Sequence, residues 1–253
     1  MIQENFKNFI GIIPARYAST RFPGKPLAKI GNKSMIQRVY EQVSSVLDCV
    51  FVATDDLRIA DSIKTFGGNV VMTSENHKSG TDRCYEAYEK TATGRKVIIN
   101  IQGDEPFIQP SQIESICACF EYPETQIATL VKPFLPTDEI EMLLNPNSPK
   151  VVLNKNMEAM YFSRSVIPYN RGTETGEWLK SHVYYKHIGM YAYRADVLKE
   201  ITRLPQSPLE LVESLEQLRW IENGYKIKVG ITHIETIGID TPEDLKKAEQ
   251  LII

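Results

Sequence analysis

The chain has 253 residues, 42% of them hydrophobic, which is enough for one large α/β domain or a domain carrying a lobe. Its 29 Lys and Arg against 32 Asp and Glu leave a formal net charge of −3, so no global basic field argues for nucleic acid and the cations act locally. No apolar run reaches the roughly 18 residues a membrane span needs, and MIQENFKNFIGII meets Pro14 and Arg16 too soon for a signal peptide.

Phe9 to Ile13 reads as a short buried strand, and Pro14 is expected to end it, because proline cannot continue a central ladder. A loop of small residues follows, with cations at Arg16, Arg21 and Lys25. Such a loop at a strand's C-terminal end is either a solvated basic surface or a holder for a phosphate chain. Ser34 caps a predicted helix over 35–46, and Cys49 to Ala53 is a second buried strand. Thr54-Asp55-Asp56 supplies a cap and an acidic first turn for a helix over 57–66, closed by Gly67-Gly68. Asn69 to Met72 is a third strand. Ser79 or Thr81 caps the next helix, and Lys96 to Ile101 is a fourth strand ending in Gln102-Gly103-Asp104-Glu105-Pro106. A helix over 111–120 follows. Alternating strands and helices predict a mostly parallel, Rossmann-like sheet flanked by helices, with ligands outside the strands' C-terminal ends.

Beyond Gln126 the rhythm changes. Strands are expected at 127–131, 150–153, 158–162 and 187–193 without long helices between them, which predicts a mixed-sheet extension over about 126–200 within one domain of 1–253. Tyr169 to Lys180 reads as a mobile surface loop. One helix is expected over 208–222, with Leu211, Leu215 and Leu218 as its core stripe. Tyr225 to Ile231 is a late strand, and Thr241-Pro242 opens the last helix. The four cysteines, at 49, 84, 117 and 119, have no metal-site spacing and are expected as thiols in a reducing cytosol.

Asp104, between Gly103 and Glu105-Pro106 at a strand end, has little structural use there. Asp240, just before a helix cap, has a first-turn charge as its structural explanation. Taken together beside a basic loop, two carboxylates suit a Mg²⁺–triphosphate. No Walker loop, G-x-G-x-x-G or G-x-S-x-G is present, so kinase, dinucleotide and serine-nucleophile readings lose their main support. A second polar group comprises Arg164, then His187, Gly189 and Tyr191 on one strand face, then Glu213, Glu216, Gln217 and Trp220 at helical spacing. It is either a solvated face with a core histidine, or a wall for a polyhydroxylated acid, with Arg164 and His187 toward the carboxylate and Glu and Gln toward hydroxyls.

These residues occur in PARYASTRFPGKPL at 14–27, ATD at 53–55, SGTDR at 79–83, QGDEP at 102–106, NPNSPKVVL at 145–153, YFSR at 161–164, HIGMY at 187–191, PLELVESLEQLR at 208–219 and GIDTPEDL at 238–245. Together, from Phe9 to the last helix, they resemble the 3-deoxy-manno-octulosonate cytidylyltransferases, the CMP-Kdo synthetases. The first loop alone resembles only the wider sugar nucleotidyltransferase class. The resemblance implies a nucleotide-diphospho-sugar transferase type of fold and a cytoplasmic homodimer. It implies that CTP and Kdo, with Mg²⁺, give CMP-Kdo and pyrophosphate for lipopolysaccharide biosynthesis, with neither nucleic acid nor membrane insertion involved. It also implies site residues. Pro14, Ala15, Arg16, Ser19, Arg21, Lys25, Ser79 and Arg83 match the nucleotide site. Asp104 and Asp240 match the metal pair and, with Arg16 and Lys25, the catalytic set. Gln102, Arg164, His187, Tyr191, Glu216 and Gln217 match the sugar site. The departures are Phe22 for a usual Leu, Asp82 for a usual Glu, and the loop at 169–180.

Overall fold

A computed structural model of the chain describes residues 6–18, 22–234 and 238–250. The chain packs as two compact units. The first is 1–114 with 192–202 and 236–253, and the second is 115–191 with 203–235.

In the first unit, strand β1 (Phe9–Ala15) leads through a short 3-10 turn at Lys25–Leu27 and a small hairpin, β2 (Lys29–Ile30) with β3 (Lys33–Ser34), into helix α1 (Met35–Ser44). Ser34 caps α1 by accepting the Gln37 backbone N–H at 3.3 Å. Then come β4 (Val50–Thr54), α2 (Leu57–Thr65), β5 (Val70–Met72), α3 (Gly80–Thr91), β6 (Val97–Asn100) and α4 (Pro110–Ala118). The strands run in the order β6-β1-β4-β5, all parallel. Ile10, Ile12, Ile13, Val52, Ile98 and Ile99 are fully buried, as expected of strands covered on both faces.

One expectation fails at Pro14. β1 runs on through it to Ala15, with Pro14 opposite Ala53 and Ala15 opposite Thr54. The strand tolerates proline because its pairing with β6 has already ended at Ile12 opposite Asn100, so Pro14 has a ladder on one side alone. The prolonged strand carries Ala15 and Arg16 to the sheet's C-terminal edge.

The second unit contains β7 (Ile127–Pro133), α5 (Ile140–Leu144), β8 (Lys150–Leu153), β9 (Ala159–Ser163), α6 (Trp178–Ser181) and most of β10 (Tyr185–Arg194). The chain returns to the first unit for α7 (Ala195–Ile201), which the sequence reading did not foresee. The second unit is completed by α8 (Pro208–Glu213), α9 (Gln217–Glu222) and β11 (Ile227–Ile231), and α10 (Pro242–Gln250) belongs to the first. β11 pairs with β7 in parallel, while β8 pairs antiparallel with both β9 and β10. The architecture is therefore a mostly parallel mixed sheet flanked by helices, as expected.

In this unit one local expectation is refined and another overturned. Residues 169–177 lie at the surface as expected, but the segment closes in a short 3-10 turn and α6, anchored by Trp178, which is buried against Phe134, Leu143, Leu179 and Tyr184. The helix expected over 208–222 is broken at Ser214, whose left-handed backbone (φ 51°, ψ 49°) separates α8 from α9. Leu211 is consequently 59% exposed and leaves the core stripe, whereas Leu215 and Leu218 are buried. The periodic spacing of leucines hid this break, because serine is not a strong helix stop.

Candidate active site

Three loops and one helix end converge in the first unit on a pocket of about 490 Å³. It is lined by Pro14, Ala15 and Arg16 from the end of β1, Lys25, Ser79 and Arg83 from α3 and its cap, Gln102 and Asp104, and Asp240.

Each wall has a local cause. Gly24 turns the basic loop back on itself with φ 72°, and its N–H donates to the Tyr17 carbonyl at 2.9 Å. The turn delivers Lys25 to the start of the 3-10 segment. Gly103 lies so close to β1 that a Cβ there would stand 2.9 Å from the Pro14 carbonyl oxygen, so the turn carrying Asp104 can pack against β1 only as glycine. The Ile239 N–H donates to the Asp104 carbonyl at 3.0 Å, and Ile239 is fully buried beside Ile30, Met35 and Ala248. That bond and that burial bring Asp240, 136 positions along from Asp104, to the same corner. Thr241 then caps α10: its Oγ1 accepts the Asp244 N–H at 3.2 Å, while Asp244 Oδ2 accepts the Thr241 N–H at 3.0 Å.

At the centre, Lys25 Nζ lies 2.6 Å from Asp104 Oδ2 and 3.2 Å from Asp240 Oδ1. One ammonium thus holds two carboxylates that would otherwise repel each other. These are hard oxygen donors converging on one cation position, the donor set that Mg²⁺ accepts in combination with phosphate oxygens and water. Among the described residues no cluster of three or more His, Cys, Asp or Glu side chains could hold a metal.

Opposite, Ser79 caps α3 by accepting the Asp82 N–H at 3.1 Å, and Ser79 and Gly80 present that helix's N-terminus to the pocket. Arg83 is only 1% exposed. Its Nη1 donates to Thr73 Oγ1 at 2.6 Å and its Nη2 to Asp55 Oδ2 at 2.8 Å. Asp55 was expected in a helix first turn; instead Asp56 caps α2, accepting the Arg58 N–H at 2.9 Å, and Asp55 anchors Arg83. Thr73 does not stand out in the sequence, and Asp55 does so only as part of ATD at 53–55, with no sign of its role, because their partner is distant along the chain.

The structure therefore gathers Pro14, Ala15, Arg16, Lys25, Ser79, Arg83, Asp104 and Asp240 around one pocket. Gln102, expected with the sugar group, lines it too. Ser19 and Arg21 lie outside the described residues.

Arg164, His187, Tyr191, Glu216 and Gln217 belong to the second unit. Arg164 is held by three carbonyls: its Nε donates to Glu213 O at 2.7 Å, Nη1 to Pro146 O at 3.1 Å and Nη2 to Ser214 O at 3.3 Å. The Glu213 carboxylate completes the clasp, accepting the Ser163 hydroxyl at 2.6 Å and the Arg164 N–H at 2.9 Å. Glu213 was expected on a common helical stripe with Glu216, Gln217 and Trp220; the break at Ser214 dissolves that stripe and frees Glu213 to hold the Arg164 backbone. His187 packs edge-on to Phe162 and beside Tyr191. Burial lowers its pKa to about 3, so it is neutral at pH 7 and brings no positive charge to a carboxylate. Burial, then the Glu216 charge, raises the Tyr191 hydroxyl well above its ordinary range, so it stays protonated. Gln217 is buried, and its Nε2 has no hydrogen-bond partner among the described residues. A Cβ on Gly189 would meet nothing within 4 Å, so space is open on the His187 face of β10.

The chain resembles known proteins over most of its length. Residues 10–227 match the family model described as cytidylyltransferase. The chain is 71% identical over 244 residues to a 3-deoxy-manno-octulosonate cytidylyltransferase of Phocaeicola vulgatus, covering 96% of this chain and 97% of that protein. It is 73% identical over 241 residues to the protein of the same name from Parabacteroides distasonis, covering 95% and 96%. A solved CMP:2-keto-3-deoxy-manno-octonic acid synthetase, complexed with CTP, superposes with a TM-score of 0.88 at 41% identity, covering 96% of this chain and 98% of that one. The fold is shared further afield: 4-diphosphocytidyl-2C-methyl-D-erythritol synthase of Anaerococcus prevotii gives a TM-score of 0.61 at 13% identity, covering 97% and 99%. With 218 of its 253 residues inside the family model, the chain belongs to the cytidylyltransferase family and, within it, to the 3-deoxy-manno-octulosonate cytidylyltransferases.

Proposed function

We propose that the chain transfers the cytidylyl group of CTP to the anomeric hydroxyl of Kdo, giving CMP-Kdo and pyrophosphate for lipopolysaccharide biosynthesis, and that it requires Mg²⁺ to do so. The observation that carries this reading is the convergence of Asp104 and Asp240 on Lys25 in a pocket that also holds Arg16 and the N-terminus of α3.

The hydroxyl oxygen forms a bond to the α-phosphorus as the bond from that phosphorus to the α–β bridging oxygen breaks. The hydroxyl proton goes to solvent. None of the pocket-lining residues is a cysteine or histidine suited to a covalent intermediate, so the protein's work is positioning and charge stabilisation. Arg16 and Lys25 neutralise charge accumulating on the departing pyrophosphate. Ser79 and the first turn of α3 offer N–H groups and a positive helix end to the nucleotide, and Arg83 forms the buried wall behind them. Asp104 and Asp240 would hold Mg²⁺, which when bound supplies a Lewis acid for the phosphoryl oxygens. Lys25 would then move from the carboxylates to the phosphates.

Arg164, His187, Tyr191, Glu216 and Gln217 of the second unit would recognise the sugar. The supports are the open space above Gly189 and the buried Gln217 Nε2, which has no hydrogen-bond partner among the described residues. A cytoplasmic homodimer completes the proposal. The four cysteines are buried thiols, as a reducing compartment keeps them. Exposed Leu211, Val212 and Met160 give the second unit apolar surface for a second copy to cover.

The test is pyrophosphate release from purified protein with Kdo, Mg²⁺ and each of CTP, ATP, GTP and UTP, with sialic acid replacing Kdo as a control. Release with CTP and Kdo alone, abolished by a chelator, is expected. Release with CTP and sialic acid but not Kdo would overturn the sugar assignment, and no release with any pair would overturn the enzyme reading.

A further inference from the structure

Thr129 is fully buried on β7, and its hydroxyl touches the backbone of β10 and the His187 side chain, with the Tyr191 hydroxyl also beside it. Oγ1 lies 2.8 Å from the Met190 carbonyl oxygen, 3.2 Å from the Ile188 carbonyl oxygen and 3.0 Å from His187 Nε2. A threonine hydroxyl has one proton and two lone pairs. Two oxygens 2.8 Å apart are held together by a hydrogen between them, and a carbonyl has none to give. The Thr129 proton is therefore committed to the β10 backbone. Oγ1 can meet Nε2 only as an acceptor, so the hydrogen in that contact must be the imidazole's.

We propose that Thr129 is a positioning residue that fixes His187 as the Nε2–H tautomer, leaving Nδ1 as a lone-pair acceptor for a hydroxyl of the sugar rather than a partner for its carboxylate. The proposal rests on the reading that His187 faces the sugar, and it deepens that reading by naming the group His187 recognises. His187 is neutral and so carries one ring hydrogen, which makes the two nitrogens chemically opposite. His187 as a residue keeps partial exposure, and the open space over Gly189 lies on the same face of β10. Packing against Phe162 and Tyr191 limits the ring's swing, and the bond to Thr129 then sets which nitrogen is offered. A carboxylate brought to Nδ1 would meet a lone pair and be repelled, whereas a sugar hydroxyl could donate to it.

The test uses the whole chain labelled with ¹⁵N-histidine. Long-range proton–nitrogen spectra of the four histidines are recorded near neutral pH without ligand, and the His187 signals are identified by their loss in His187→Gln. The expected result is a protonated Nε2 with a slowly exchanging proton and an unprotonated Nδ1. Thr129→Ser should keep that slow proton, and Thr129→Val should lose it. In steady-state assays Thr129→Val should raise the KM for Kdo roughly tenfold, the loss of about one hydrogen bond, with KM for CTP unchanged and Thr129→Ser close to wild type. A wild-type His187 protonated at Nδ1 would overturn the tautomer. The expected tautomer with an unchanged KM for Kdo in a folded Thr129→Val would overturn the positioning role. If no sugar is turned over at all, the function reading fails while the spectra still decide the tautomer.

Discussion

Lys25 Nζ and Asp104 Oδ2 stand 2.6 Å apart, 79 residues from each other in the chain, and the same ammonium reaches Asp240. This contact links the basic loop after β1 with the acidic turn after β6. Those carboxylates remain partly exposed, so the contact serves the site more than it serves stability.

Asp104→Ala should fold and be nearly inactive. Asp104 sits on a turn at a strand end, and its backbone bond from Ile239 survives the change. Losing about 4 kcal/mol of charge stabilisation slows a reaction roughly a thousandfold. Circular dichroism and pyrophosphate release measure the two halves of the prediction. Turnover at the wild-type rate would remove Asp104 from the mechanism.

Lys25→Met should separate catalysis from folding in the same way. Unfolding stability should change by less than about 1 kcal/mol, because both carboxylates keep solvent contact. The value of kcat/KM for CTP should fall at least about a hundredfold, since the loop loses a cation meant for phosphate. A large drop in melting temperature with unchanged kinetics would make the cluster structural instead.

Asp55→Asn should do the opposite and destabilise first. Arg83 is almost wholly buried and has its one ion pair among the described residues with Asp55. Leaving a buried guanidinium without its counter-charge costs about 3 kcal/mol. Urea unfolding would show this, and CTP binding should weaken as well because Arg83 lines the pocket. A variant as stable as wild type would mean that Thr73 alone suffices.

Stability should fall with acid in a way that traces to His187. Its pKa is about 3 in the folded protein against about 6.5 in an unfolded chain. Between those values the unfolded chain binds the extra proton, so stability drops as pH falls, by up to about 1.4 kcal/mol per pH unit. The residue keeps partial exposure, which makes that slope an upper value. Carboxylates with lowered pKa, such as Glu86, add their own loss at lower pH but are common to wild type and His187→Gln. Unfolding measured from pH 7.5 to pH 5 should give a steeper acid slope for wild type, and equal slopes would show that His187 is not buried as a neutral ring.

Much of the first unit was legible because its signals are local. Apolar runs such as Ile10 to Ile13 and Val97 to Ile99, and caps such as Ser34 and Ser79, need only their neighbours to be read. The site residues Arg16, Lys25, Asp104 and Asp240 could be grouped because strand ends share an edge in a parallel sheet. What stayed hidden depends on partners far apart in sequence. Asp55 reads as part of a helix's acidic first turn until Arg83 arrives to claim it, and Thr129 reads as an ordinary strand residue until β10 lies beside it. Ser214 hid for another reason: a left-handed serine leaves no mark in hydrophobic periodicity, so two short helices read as one.

The central claim is nucleotidyl transfer to the sugar at the α-phosphorus, and phosphorus NMR of one reaction mixture tests it most directly. With protein, CTP, Kdo and Mg²⁺, the three triphosphate signals should be replaced by a phosphodiester signal for CMP-Kdo and a pyrophosphate signal in equal amounts. Inorganic phosphate with CDP, or a triphosphate spectrum that does not change, would contradict the account.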